Sequence, residues 1–181
     1  MKNYQDPKKN IHVYTGSHGA GKTSQFYKDF TWEYYGENGS LPCFINETQR
    51  SIKDFCGLEH SNQDFNLQIN KNILFLLYSD IIKNEDIIMD RSFFDVLIYN
   101  YYFDNSYRYE CDEEFKKTLI WFIKSTTFNI CEPQEKFFDN EVERMDYKSA
   151  LEIHKLFLDI DNVLSKILGF NVNLKKKYDK L

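Results

Sequence analysis

The 181-residue sequence predicts a three-layer α/β fold, a parallel sheet of about five strands with helices on both faces and a small lid. Three observations carry this. Short β-type runs alternate with helical stretches along the whole chain. A glycine-rich loop, Gly16 to Thr23, lies between the first strand and the first helix. Polar and charged residues, Thr15/Gly16, Asn46/Glu47, Asp90/Arg91 and Glu132, fall where successive strands end, at the sheet edge where such folds bind ligands.

The first ten residues are polar and read as a flexible lead-in. Ile11 to Thr15 is a β-type run, and 22–35 suits a helix that Gly36 stops. Leu41 to Ile45 reads as a second strand, with Pro42 at its start where a missing donor is tolerated. Residues 48–83 read as mostly helical, with an apolar stripe through Ile73, Leu74, Leu76, Leu77, Ile81 and Ile82. Asp86 to Asp90 is a compact buried-strand signal, followed by helices over 92–104 and 112–124. A strand is expected at 126–130, a long helix over 146–168 closed by Gly169, and a short last strand at 170–174. No repeat or long linker divides the chain, so 1–181 reads as one domain with a candidate lid at 134–148.

The loop Gly16-Ser17-His18-Gly19-Ala20-Gly21-Lys22-Thr23, followed by Ser24, matches G-x-x-x-x-G-K-[ST] in full. Successive backbone N–H groups in such a turn make a concave anion site, and the helix start adds positive dipole. Lys22 would reach the β- and γ-phosphates of a nucleoside triphosphate such as ATP, and the Thr23 hydroxyl would coordinate Mg²⁺. The plainer alternative is a merely glycine-rich turn, which the strand before it and the helix after it disfavour. His18 falls at a variable loop position, and His12, His60 and His154 have no metal-ligand spacing.

Phosphoryl chemistry also needs an acid to hold the metal or accept a proton. Asp90 ends a strand and qualifies for both. Arg91 offers a planar fork suited to an anionic substrate group. A helix cap with a local ion pair is the plainer reading of that pair. Glu47 and Arg50 follow the second strand as a further acid and a substrate contact, or as ordinary helix-start charges. The residues leave open whether Glu47 or Asp90 is the base. Taken together, Gly16 to Thr23, Asn46-Glu47-Thr48-Gln49-Arg50 and Met89-Asp90-Arg91-Ser92 resemble the P-loop nucleoside and nucleotide kinases. The likeness is to the thymidylate-kinase-like and deoxynucleoside-kinase-like enzymes and to the small domains of the nicotinamide riboside kinase type. It implies the P-loop NTPase fold and transfer of the ATP γ-phosphate to a nucleoside or nucleoside monophosphate, with the strand-end acid in catalysis or metal binding and the arginine on substrate.

In the candidate lid, Lys136, Arg144 and Lys148 are the cations, and Arg144 is the choice for covering the migrating phosphoryl group. This is sparser than lids with several arginines. Tyr99, Tyr101, Tyr102 and Phe103 read chiefly as core, with base stacking as the sharper alternative. The net charge of −5 argues against an extended nucleic-acid surface, and Lys175 to Lys177 reads as a solvated tail. Four cysteines without C-x-x-C spacing read as reduced thiols of a cytoplasmic protein, and no apolar run is long enough to span a membrane. A homodimer is compatible with this reading. The competing functions are a motor or remodelling ATPase, which usually carries an Asp-Glu pair at the third strand; a regulatory GTPase, whose Asn-Lys-x-Asp element is absent; and a non-catalytic nucleotide-binding regulator.

Overall fold

The computed structural model describes residues 6–17, 19–25, 42–45, 63–135 and 145–179. Among the described residues five strands form one sheet: β1 (Asn10–Thr15), β2 (Cys43–Ile45), β3 (Asp86–Asp90), β4 (Thr126–Cys131) and β5 (Lys175–Asp179). Their order across the sheet is β2-β3-β1-β4-β5, and every pairing is parallel. The described helices are α1 (Gln63–Tyr78), α2 (Phe93–Phe103), α3 (Glu113–Ser125), α4 (Tyr147–Leu158) and α5 (Ile160–Leu168). None of them is long and apolar enough to cross a membrane.

Strand alternation divides the core. Ile11, Val13, Ile87, Met89, Phe128 and Ile130 pack with the buried faces of all five helices, including Leu74, Phe94, Phe122, Phe157 and Leu164. Tyr14, Ile88 and Cys131 form a second cluster with Ala20 of the glycine-rich loop. The first face is thus fully packed by helices, whereas on the second face His12 and Thr127 are only half-buried, and polar residues stand among the apolar ones in β1 and β4. Much of the aromatic content is in the larger cluster, where Phe93, Phe94, Phe115 and Phe122 meet at tilted and edge-to-face angles and Phe94 stacks on Phe128.

Local chemistry fixes the helix ends. Asp112 accepts from the Phe115 N–H at 2.8 Å to start α3, and Asp146 accepts from the Ser149 N–H at 2.7 Å to start α4. Gly169, at φ +70, closes α5.

Several expected boundaries are corrected. The lead-in is held at its end: Lys9 Nζ donates to Asp80 Oδ1 at 2.7 Å and to the Ile82 and Asn84 carbonyls, and Trp121 Nε1 donates to the Pro7 carbonyl. Helix α1 stops at Tyr78 rather than near Lys83, because Asp80 turns at φ +57 into the loop that Lys9 caps. The expected helix over 146–168 is two helices joined at Asp159, whose φ of −102 and ψ of 26 lie off the helical track. The Asp159 carboxylate accepts from the Asn162 side chain, the local competition that disfavours Asp in helix interiors.

The last strand is Lys175–Asp179, not 170–174. Val172 and Leu174 are buried, but α5 takes their N–H groups, which donate to Ser165 Oγ and Asp161 Oδ1. The lysine run expected to be a solvated tail instead pairs with Thr127 to Asn129 of β4. Lys176 binds Asp161, and Lys175 donates to the Lys124 carbonyl. The expected helical stretches beyond residue 25 and over 48–62 lie outside the described residues.

Candidate functional site

Strand β1 lies in the middle of the sheet between β3 and β4, and the chain leaves it directly into the glycine-rich loop. Tyr14 is in register with Asp90, so the end of β3 lies beside the start of the loop. The chain arrives at β3 from one side and continues to β4 on the other. Strand order thus reverses about β1, and sheets of this kind bind ligands at the carboxyl edge of that position.

Two loop glycines have a steric reason to be glycine. Gly16 adopts φ +145, and a Cβ there would stand 2.6 Å from the Cys131 carbonyl oxygen at the end of β4. Gly21 adopts φ +63 just before the helical turn at 22–25 and accepts from the Gln25 N–H at 2.9 Å. The segment after β4 is tied to the loop as well, since the Gln134 N–H donates to the Gly19 carbonyl at 3.0 Å.

Lys22 is buried, and its ammonium donates to the Ser17 carbonyl at 2.6 Å. Burial is the main cause that pulls its pKa down to about 8; the neighbouring Arg91 charge adds to this, while Asp95 and Asp90 oppose it. Without a polyanion, then, the loop holds a lysine short of counter-charge. The Thr23 hydroxyl donates to Asp90 Oδ2 at 2.6 Å, joining residues 67 apart in sequence. The second oxygen, Asp90 Oδ1, is buried without a hydrogen-bond partner, as is the Ser17 hydroxyl.

Hydroxyl and carboxylate oxygens are the hard donors Mg²⁺ prefers, and an orphaned buried carboxylate oxygen is what a cation or its water would satisfy. The pair therefore fits a magnesium site completed by phosphate oxygens and water. Among the described residues no group of three or more His, Cys, Asp or Glu can hold a metal by itself.

Arg91 adopts φ +70, a left-handed conformation that costs a non-glycine residue about 1 kcal/mol. Its N–H donates to the Tyr14 carbonyl at 2.9 Å. Strain of this kind persists only where its surroundings over-determine it. Here the next turn does so. Ser92 caps α2 in a reciprocal box with Asp95, and the Asp95 carboxylate also accepts from the Thr15 hydroxyl at 2.7 Å. Burial pushes the Asp95 carboxyl up, opposed first by the Thr15 hydrogen bond and then by the Arg91 and Lys22 charges.

Sequence reading picked out Asp90 and Arg91 and placed Thr15 at the strand-end edge, but missed Asp95. The available signal was Ser92-x-x-Asp95, a capping-box spacing at a helix start.

Of the other expected site residues, Gly16, Ser17, Gly19, Ala20, Gly21, Lys22, Thr23 and Ser24 share the loop and the helix start, while His18, Glu47, Arg50 and Arg144 lie outside the described residues. The candidate lid at 134–148 is described only at its ends. Gln134 is bound to the phosphate-loop backbone, Met145 packs on the core and Asp146 caps α4; Lys136 falls in the undescribed part and Lys148 is exposed. Of the α2 aromatics expected as core, Tyr99 is buried and meets Phe157 edge-on, Tyr101 and Tyr102 are half-buried with the Tyr102 hydroxyl donating to Glu152, and Phe103 is instead exposed at the end of the helix. Among the described residues Cys43, Cys111 and Cys131 are free thiols.

No protein-family model and no curated protein sequence matches this chain. Solved structures do. A thymidylate kinase from Ehrlichia chaffeensis aligns with 96% of this chain and 92% of its own, at 14% identity and a TM-score of 0.51. A thymidylate kinase from Candida albicans aligns with 96% of this chain and 86% of its own, at 13% identity and a TM-score of 0.48. The five-stranded parallel α/β architecture is thus the P-loop fold that this first thymidylate kinase shares.

Proposed function

From this P-loop kinase fold we propose a small-molecule kinase that transfers the γ-phosphate of ATP to a nucleoside or nucleoside monophosphate, most simply in deoxynucleotide metabolism. The observation that carries the reading is the Thr23–Asp90 contact, which joins the phosphate loop to an acid whose next residue is arginine. A hydrolytic ATPase would be expected to carry a water-polarising glutamate there. The fold likeness to a thymidylate kinase supports a nucleotide acceptor.

In this reading the loop N–H groups and Lys22 bind the β- and γ-phosphates, and the phosphates return to Lys22 the counter-charge that burial denies it. Mg²⁺ held by Thr23 and Asp90 supplies neutralisation of the phosphate charge. Arg91 orients the acceptor. The acceptor oxygen attacks the γ-phosphorus, the bond to the bridging oxygen breaks and ADP leaves. When the acceptor is a hydroxyl, its proton passes to Asp90 or Glu47. Arg50 is assigned to the acceptor side and Arg144 to the lid, with His18 and Ser24 contributing backbone to the phosphate cradle. The whole chain acts as one kinase domain.

The test is ADP formation across a panel of nucleosides and nucleoside monophosphates, with Lys22→Ala as the control. Acceptor-dependent ADP release that Lys22→Ala abolishes is the expected result. Release of phosphate that no acceptor accelerates would instead identify an ATPase. Tight ATP binding without turnover on any acceptor would identify a regulator.

A further inference from the structure

Beyond the residues assigned to substrates, we propose that Asp95 is the positioning residue that sets the phosphate loop and the Asp90–Arg91 turn in register, and so sets how well Thr23 and Asp90 hold Mg²⁺ together. This rests on the kinase reading for its ligand and deepens it at the same site.

The geometry is a single carboxylate spanning two strand ends. Ordinary ladder pairing between β1 and β3 runs to Tyr14 opposite Asp90, and the Arg91 N–H to Tyr14 carbonyl bond is the last backbone tie. Beyond it the two chains part: β1 enters the loop at Gly16, and β3 turns left-handed at Arg91. Asp95 restores the join one residue further on. Its Oδ1 accepts from the Thr15 hydroxyl at 2.7 Å, immediately before the loop. Its Oδ2 accepts from the Ser92 N–H at 2.9 Å and the Ser92 hydroxyl at 3.1 Å, immediately after the turn.

The residue is 2% exposed, so it has no surface to offer a ligand. A helix cap alone would use only the Ser92 side of the carboxylate. The bond to Thr15, at the end of strand β1 and 80 residues away, is what a capping role leaves unexplained. The two magnesium donors stand on the two parts so joined: Thr23 follows the loop, and Asp90 precedes the turn. Groups that orient metal ligands in this indirect way are typically worth roughly 10- to 100-fold in metal affinity or activity.

The experiment measures ATP binding by calorimetry with excess Mg²⁺ and with EDTA, for the wild type, Thr15→Val, Thr15→Ser and Asp95→Asn. Expected is a Mg²⁺ enhancement of ATP affinity that falls roughly tenfold in Thr15→Val and Asp95→Asn and returns in Thr15→Ser, with affinity in EDTA within about twofold of wild type throughout. Thr15→Val leaves the helix cap intact, so it carries the test if Asp95→Asn does not fold. Wild-type enhancement in Thr15→Val, or an equal loss with and without Mg²⁺, would reduce Asp95 to a structural cap and leave the kinase reading standing. Absence of acceptor-dependent turnover in the wild type would overturn the kinase reading but not this comparison, which needs no acceptor. A wild type whose ATP affinity ignores Mg²⁺ would overturn both.

Discussion

Replacing Lys22 with methionine should make the protein more stable while removing its affinity for triphosphate. The folded state holds the Lys22 ammonium in a dry site, and its pKa falls from the ordinary 10.5 to about 8. At about 1.4 kcal/mol per pH unit, that lowering corresponds to about 3 kcal/mol of cost for carrying the charge in the fold. The opposing attraction of Asp95 and Asp90 is already contained in that net value. Methionine fills similar space without the charge but forfeits the hydrogen bond to the Ser17 carbonyl, worth about 1 kcal/mol. A gain of about 2 kcal/mol at pH 7 therefore remains, roughly 4–8 °C in Tm for a chain of this size.

The pH dependence gives the sign. Because the folded pKa is lowered, the unfolded chain binds more protons between about 8 and 10.5, so wild-type stability gains from this group as pH rises through that window. The cost is fully present below pH 8 and gone above 10.5, and the gap between variant and wild type should close accordingly. Urea unfolding followed by tryptophan fluorescence at pH 7, 8, 9 and 10 measures this, and groups common to both proteins cancel in the difference. A variant no more stable than wild type at pH 7, or a gap that stays constant with pH, would refute the reasoning.

Three further outcomes follow from the geometry. At Arg91, held at φ +70, Arg91→Gly should be more stable than Arg91→Ala by about 1 kcal/mol in urea unfolding, while both lose use of the acceptor. Gly16→Ala should abolish ATP binding by calorimetry and lower Tm, because the new Cβ meets the Cys131 carbonyl at 2.6 Å and the backbone is at φ +145. Lys9→Ala should cost about 2–4 kcal/mol in chemical unfolding, since it strips a buried ammonium from Asp80 and two carbonyls at once; a loss below about 1 kcal/mol would mean that water replaces it.

The parts of the fold legible in the sequence were those set by local chemistry. The run Asp86 to Asp90 is a strand because three apolar residues, Ile87 to Met89, ending in an acid suit a central parallel position, and the phosphate loop is legible because its glycines answer to backbone sterics. The errors came where tertiary partners overruled local pattern. Val172 and Leu174 alternate like a strand, yet Ser165 and Asp161 claim their N–H groups, and the ladder passes to three lysines that sequence reading assigned to solvent. Asp159 divides a helix with no glycine or proline to announce it. At the site, Asp90 and Arg91 could be found from position alone. For Asp95 only the capping role was legible, in the Ser92-x-x-Asp95 spacing; its tie to the loop was not, because that is a hydrogen bond to a residue 80 positions earlier.

The lysines of β5 also bear on how this protein keeps apart from its own copies. A sheet ends in a strand with a row of unpaired amides, open to any extended chain that arrives in register. On β5 the side chains alternate between the two faces, so Lys175 and Lys177 guard one side and Lys176 the other. A strand adding there would meet an ammonium on either face, and slipping by one residue would only exchange which lysine it meets. Among the described residues β5 ends the sheet, and a run of lysines on such a strand is the charge pattern expected to discourage edge-to-edge pairing; here Lys176 is held by Asp161 and Lys175, though exposed, by the Lys124 carbonyl, and Lys177 is exposed.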